Sequence, residues 1–255
     1  MKHVLLCSTL LLGATALHAQ EAVVSELFSP RRIVKTNLAG YAGLAVNLNY
    51  EQKIGGKTSI GLLGGYKLPS TIKVEAIGDL DGERQTYTGE VEPSGPFINP
   101  YFRFYPRKTF HGFYLEVFLR YFSYDFTLPY DYVTSEGRKI QGAMDGNASA
   151  FGGGLGLGAQ FTLAPRLYMD IGVGGGIASG SVHLETNDPD LTLDDYITIK
   201  QNIEKYQDDP DVQVFLLGDI LSDPTAGAST TQAWADFEGK IFAILRGGIS
   251  IGYAF

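Results

Sequence analysis

Alternate residues at the end of the chain separate into two sets. Phe237, Gly239, Ile241, Ala243, Leu245, Gly247, Ile249, Ile251, Tyr253 and Phe255 are apolar or small. Between them lie Glu238, Lys240, Phe242, Ile244, Arg246, Gly248, Ser250, Gly252 and Ala254. A period of two puts these sets on opposite sides of a strand, far longer than the roughly 5–6 residues of an ordinary globular strand. One face suits hydrocarbon and the other tolerates charge. The same alternation recurs seven times upstream: at 33–38, 44–54, 59–68, 97–106, 112–122, 150–163 and 167–177.

The connections alternate in length. Short turns follow the second, fourth and sixth strands ("GGK" 55–57, "RKTFH" 107–111, "APR" 164–166), and long stretches follow the third, fifth and seventh. A tight loop around "GYAGL" follows the first. These features predict an all-β fold: an eight-stranded antiparallel up-and-down transmembrane β-barrel with short periplasmic turns and long extracellular loops. A membrane sheet has to close, because every backbone group in hydrocarbon must be paired. Tyr50, Phe113, Phe161 and Tyr253 then fall at the periplasmic rim as an aromatic girdle. Pro100 removes a ladder donor in mid-strand, and a bulge is expected there.

Composition adds the address. "MKHVLLCSTLLLGATALHAQ" has a basic start, an apolar run too short to span a membrane and a small-residue exit, which predicts a secretory signal over 1–20. A periplasmic segment over 21–32 and the barrel over 33–255 follow. The single cysteine, Cys7, lies in the leader, so neither disulfide nor thiol chemistry is expected in the mature chain. The stretch 186–236 holds eleven carboxylates against Lys200 and Lys205, a net of −9. It reads as a long acidic extracellular loop and speaks against nucleic-acid binding. Within it, Tyr196, Ile199, Ile203 and Tyr206 form the stripe of a short helix capped by Thr192, and "VQVFLLGDIL" (212–221) is a further apolar run. Such stripes must be covered by the barrel mouth or by a partner.

The candidate chemistry lies on the inward face. Lys35, Glu51, Lys53, Arg103, Glu116, Arg120, Asp170, Lys240 and Arg246 all point into the lumen by parity. They form either an ion-pair plug or the lining of a narrow pore, proton path or ligand site. Arg103 is expected to pair with Glu116 or Glu51. "GLGLGA" (154–159) matches a dinucleotide fingerprint, but its glycines continue an alternating strand, so packing beside Tyr101, Tyr105, Phe118 and Phe122 is the reading. No catalytic, cofactor or metal site is expected. The one cluster with nucleophile and base types is Ser179, Ser181 and His183, which keeps a lipid-modifying enzyme among the alternatives.

The mature chain resembles eight-stranded outer-membrane barrels such as the OmpA membrane domain and OmpX. More narrowly, "VKTNL" (34–38) followed by "NLNYEQKIGGKTSIGLLGGY" (47–66) resembles a bacterial barrel family of unknown function that opens with a K-T-N-L strand. A terminal aromatic with apolar residues at alternate places resembles the assembly signal of Gram-negative outer-membrane barrels, here Tyr253 and Phe255. The resemblance implies location in the cell outer membrane, contact with its lipid, and passage through the barrel-assembly machinery by the C-terminal strand. The expected function is a structural or interaction scaffold, or an accessory subunit meeting an outer-membrane partner through loop 186–236. The alternative is a narrow pore or small-ligand transport protein. A soluble lipocalin-like barrel would place charge outside and apolar residues inside, the reverse of this pattern.

Overall fold

The computed structural model describes residues 30–80, 83–133, 137, 139–206, 213–214 and 224–255. The expected leader, most of segment 21–32 and most of the run 212–221 lie outside them.

Eight strands form one closed antiparallel sheet: β1 (Arg32–Asn37), β2 (Ala45–Lys53), β3 (Thr58–Lys67), β6 (Gly95–Phe104), β7 (Gly112–Val133), β8 (Lys139–Ala164), β9 (Leu167–Thr186) and β12 (Ala233–Ala254). Each pairs with the next, and β1 pairs back onto β12 with Ile33 opposite Ala254, so the sheet closes in a ring. Parity sorts the side chains as the alternation predicts. Lys35, Asn49, Glu51, Tyr101, Arg103, Tyr114, Glu116 and Asp170 are buried inside, while Leu48, Phe102, Val117, Leu155, Val173 and Leu245 are exposed on the outer face. Tyr50, Phe113, Phe161 and Tyr253 are exposed at the short-turn end.

Four strands are much longer than the rest, and three of them, β7, β8 and β9, run well beyond their expected bounds. β7, β8, β9 and β12 run 22, 26, 20 and 22 residues, while β1, β2, β3 and β6 run only 6 to 10. The long four rise together past the rim of the ring, so the stretch after 122 is a continued hairpin and not a long loop. In these extensions the polarity of the two faces is exchanged: Phe126, Met144, Val182 and Leu184 point inward beside small residues such as Ala148 and Ala150, while the outer face turns polar. The apolar outer face that marks the lower half therefore ends there. The connection after β3 is a hairpin, β4 (Ile72–Leu80) with β5 (Glu83–Val91), joined by the two-residue β10 (Gln213–Val214). The tight loop around "GYAGL" is a five-residue helix, α1 (Leu38–Ala42), capped by the Asn37 side chain.

Two local expectations are corrected. Pro100 makes no bulge: β6 keeps one register against β7 on both sides of it, with the rungs at Asn99 and Pro100 missing. The proline removes a donor, and the ladder skips a rung without slipping. A bulge lies instead in β12, where the register shifts between Phe237 and Lys240, and a smaller irregularity lies in β8 between Thr162 and Ala164. Gly239, at φ 67°, takes the left-handed conformation of the extra residue. The phase flips across it, so Phe237, expected outside, is buried inside, and Glu238, expected inside, is exposed.

Helix α2 (Leu193–Tyr206) opens with the expected cap: Thr192 Oγ1 accepts from the Asp195 N–H (3.4 Å), and Asp195 Oδ2 accepts from the Thr192 N–H (2.9 Å). Its Tyr196 and Ile199 are buried with Leu191, Met144 of β8 and Ala233 of β12. The stripe is thus covered by the inner face of the strand extensions and by β11 (Thr225–Ala228), which pairs with the top of β12.

Candidate functional site

Six of the inward charges meet in the lower half of the ring. Lys35 Nζ donates to Glu51 Oε2 and to Asp170 Oδ2, both at 2.5 Å. Arg103 donates from Nε to Glu116 (2.7 Å) and from Nη1 to Glu51 (3.1 Å) and Asp170 (2.6 Å). Arg246 Nη1 stands 2.6 Å from Glu116 Oε1, a charge contact without hydrogen-bond alignment. Three cations thus face three carboxylates drawn from β1, β2, β6, β7, β9 and β12. Buried charge is stable only when paired and further hydrogen-bonded, and neutral groups supply the remaining bonds. Ser59 Oγ and Tyr105 Oη donate to Glu51 (2.5 and 2.8 Å), and Tyr114 Oη donates to Asp170 (2.7 Å). The Arg103 guanidinium also lies 4.0 Å from the Tyr114 ring centre and 4.7 Å from that of Tyr101.

Glycines make room for this. A Cβ on Gly158 would collide with the Tyr114 hydroxyl, and one on Gly172 would come within 2.5 Å of it. "GLGLGA" is strand throughout, inside β8. A cavity of about 40 Å³ remains, lined among others by Asn49, Arg103, Glu116, Asp170 and Arg246. That is room for a few water molecules at most.

Three of the nine expected lumen charges stand elsewhere. Lys53 is half-buried at the short-turn rim. Arg120 lies higher, donating to Tyr124 Oη (2.9 Å) and covering the rings of Phe97 and Phe122. Lys240 is buried at the level of Phe122, across the Lys240–Gly180–Ala150–Phe122 row. Parity gives a residue's face but not its height, so the sequence grouped charges that the strand stagger separates. Tyr105, Tyr114 and Ser59 share the inward parity and were detectable by it, but a search for charge alone passes over them.

Above the ionic layer an apolar cluster fills most of the lumen, with Arg120 and the buried Lys240 beside it. Phe118, Phe122, Val182, Leu184, Phe237, Phe242 and Ile244 form one buried cluster with Tyr101 and several alanines, backed by Phe97, Phe126 and Ile203 of α2. On the outer face of the extensions a different set is aligned in one row across four strands: Asp125, Asn147, His183 and Asp236. His183 Nδ1 bonds Asp236 Oδ1 at 2.6 Å, and Nε2 stands 3.7 Å from Glu185. Ser179 and Ser181 share that face, but the imidazole is engaged by the two carboxylates. Among the described residues no group of His, Cys, Asp or Glu is arranged to hold a metal ion. Tyr253 and Phe255 are both exposed on the outer face, with Tyr253 Oη 3.4 Å from Arg166 Nη1.

A family model described as "Protein of unknown function (DUF3575)" matches residues 5–187, and the chain belongs to that family. No curated protein and no solved structure matches the chain. The matched range takes in the ring from β1 to β9 and five of the six charges of the buried network; Arg246 on β12 lies beyond it.

Proposed function

We propose that this member of the DUF3575 family is an eight-stranded outer-membrane β-barrel with a sealed lumen. In this reading it acts as a structural or interaction scaffold, or as an accessory subunit of a surface complex. One observation carries the reading: the interior is closed twice, by a charge-balanced ion network below and by a packed apolar cluster above. An eight-stranded ring leaves an interior just wide enough for side chains, and here they fill it.

The membrane reading draws on the outer face. From Leu167 to Ile177 the outward residues of β9 are Leu, Met, Ile, Val, Gly and Ile. That is about 33 Å of strand, or about 25 Å of height at the usual tilt, the thickness of an outer-membrane apolar band. Above it the outer face becomes Ser, Asp, Asn, His and Glu. The "VKTNL" and "NLNYEQKIGGKTSIGLLGGY" segments, and the resemblance to OmpA- and OmpX-like barrels, point the same way. With them come a cleaved leader, assembly through the strand ending in Tyr253 and Phe255, and long strands that face the cell exterior.

Transport is the competing function, favoured by the small cavity beside Arg103 and Arg246. Planar-bilayer recording of the refolded full chain separates the two. The scaffold reading expects a heat-modifiable protein that inserts and passes no stepwise current. Reproducible single-channel steps from wild-type protein would replace it with the pore.

A further inference from the structure

The end of the ring that carries the short turns is a continuous collar. Backbone hydrogen bonds tie its segments together: Lys53 to Arg31 (2.8 Å), Tyr105 to Lys57 (2.7 Å), Thr109 to Gly56 (3.0 Å), Ala254 to Arg166 (2.8 Å), and Arg31 and Arg32 to Phe255 (3.3 and 3.2 Å). The His111 imidazole and the Thr162 hydroxyl close another joint at 3.2 Å. Six basic side chains project from this collar, Arg31, Arg32, Lys57, Arg107, Lys108 and Arg166, and all six are exposed. Among the described residues no exposed side-chain carboxylate lies at this end. The nearest acids, Glu51, Glu116 and Asp170, are buried and consumed by the network. The opposite end is acidic, with Glu90, Glu92, Asp125, Asp145 and Glu185 lining one open cleft.

The placement says what the collar meets. It begins where the apolar outer face stops: Arg166 reaches the hydroxyl of Tyr253, and Arg32 follows Val34 on the same outward face of β1. Aromatic rings with cations just beyond them sit at headgroup depth in a bilayer. A multivalent ring of positive charge at that depth has a complementary partner in the phosphates of anionic lipid. We propose that the collar is a binding surface for anionic phospholipid headgroups in the periplasmic leaflet. This rests on the membrane reading above. Fixed turns present the guanidinium and ammonium groups around the rim, so the barrel gathers a shell of acidic lipid and is held at a defined depth and orientation. The acidic cleft at the far end repels the same headgroups and reinforces the direction of insertion.

The test uses the full chain refolded into vesicles of phosphatidylcholine alone and of equal parts phosphatidylcholine and phosphatidylglycerol. Protein with its surrounding lipid is then cut out in polymer nanodiscs, and the two lipids are counted by mass spectrometry. Wild type is expected to hold phosphatidylglycerol above its share in the vesicle. The combined variant Lys57→Gln, Arg107→Gln, Lys108→Gln, Arg166→Gln is expected to return to that share. A Glu90→Gln, Glu92→Gln variant at the other end should keep the enrichment. Heat-modified gel migration verifies that each variant is folded, and high salt should erase the wild-type excess. Insertion with no excess, or an excess unchanged in the four-charge variant, overturns this proposal alone. Failure to insert into either vesicle overturns the membrane reading and this proposal with it.

Discussion

Asp170 shows how much one inward side chain carries. Its Oδ2 accepts from Lys35 and Arg103 and its Oδ1 from Tyr114. Removing it leaves two buried cations with one carboxylate fewer, the situation in which breaking a buried pair costs most. Asp170→Ala should lower stability by about 3–5 kcal/mol, read by urea unfolding in lipid vesicles; a loss under about 1 kcal/mol would mean that water replaces the carboxylate. His183 behaves differently because it lies above the apolar band. The hydrogen bond to Asp236, helped by Glu185 and offset in part by burial, raises its pKa above the ordinary imidazole value. The stabilisation is therefore full below that value and is lost as pH rises through the raised one. His183→Gln should cost most in mildly acid solution, with the deficit shrinking toward alkaline pH. A deficit that grows with pH would show that the imidazole is held neutral. The face of both residues is legible from parity in the sequence. The partner of His183 is not, since Asp236 becomes its neighbour only because the bulge in β12 shifts the phase between Asp236 and Lys240.

That bulge is the element on which the upper half turns. Below it, even-numbered residues of β12 point inward; above it, Ala233, Ala235 and Phe237 do. Gly239→Val places a β-branched residue at φ 67° with no crowding to blame. It should cost about 1–3 kcal/mol from backbone strain alone, measurable as a lowered unfolding midpoint; an unchanged midpoint would mean that the extra residue migrates. The alternation marked the lower half of every strand because one face there is uniformly apolar. That face ends in β7 and β8 near Phe122 and Ala150, where Ser123, Asp125 and Ser149 take over the outer face and the apolar residues, Tyr124, Phe126 and Met144 among them, lie on the inner one. A glycine that resets the phase carries no hydrophobic signature, so an uninterrupted face through Phe237 was the natural expectation. Helix α2 was legible because its stripe and its Thr192 cap are local features.

For the whole molecule, the closed sheet was visible from strand count and turn lengths, since short connections force antiparallel neighbours. The unequal height of its wall was not. Which strands outgrow the ring depends on what covers their inner face, and that cover comes from α2, far along the chain. The buried network was half legible: the charges could be listed, but only the stagger of the strands decides that Arg103 reaches three carboxylates while Arg120 reaches a tyrosine.

The seam between β1 and β12 also governs how the molecule comes into being. Ile33 meets Ala254 across 254 − 33 = 221 intervening steps of chain. Until that rung forms, both strands expose an unpaired edge, and Lys35 lacks the wall that shields it. The entropy of bringing such distant segments together must be met before any closing contact rewards it. Strands made early therefore wait as an open, adhesive sheet until the last one arrives, and the growing chain is most prone to pair with its neighbours in that interval.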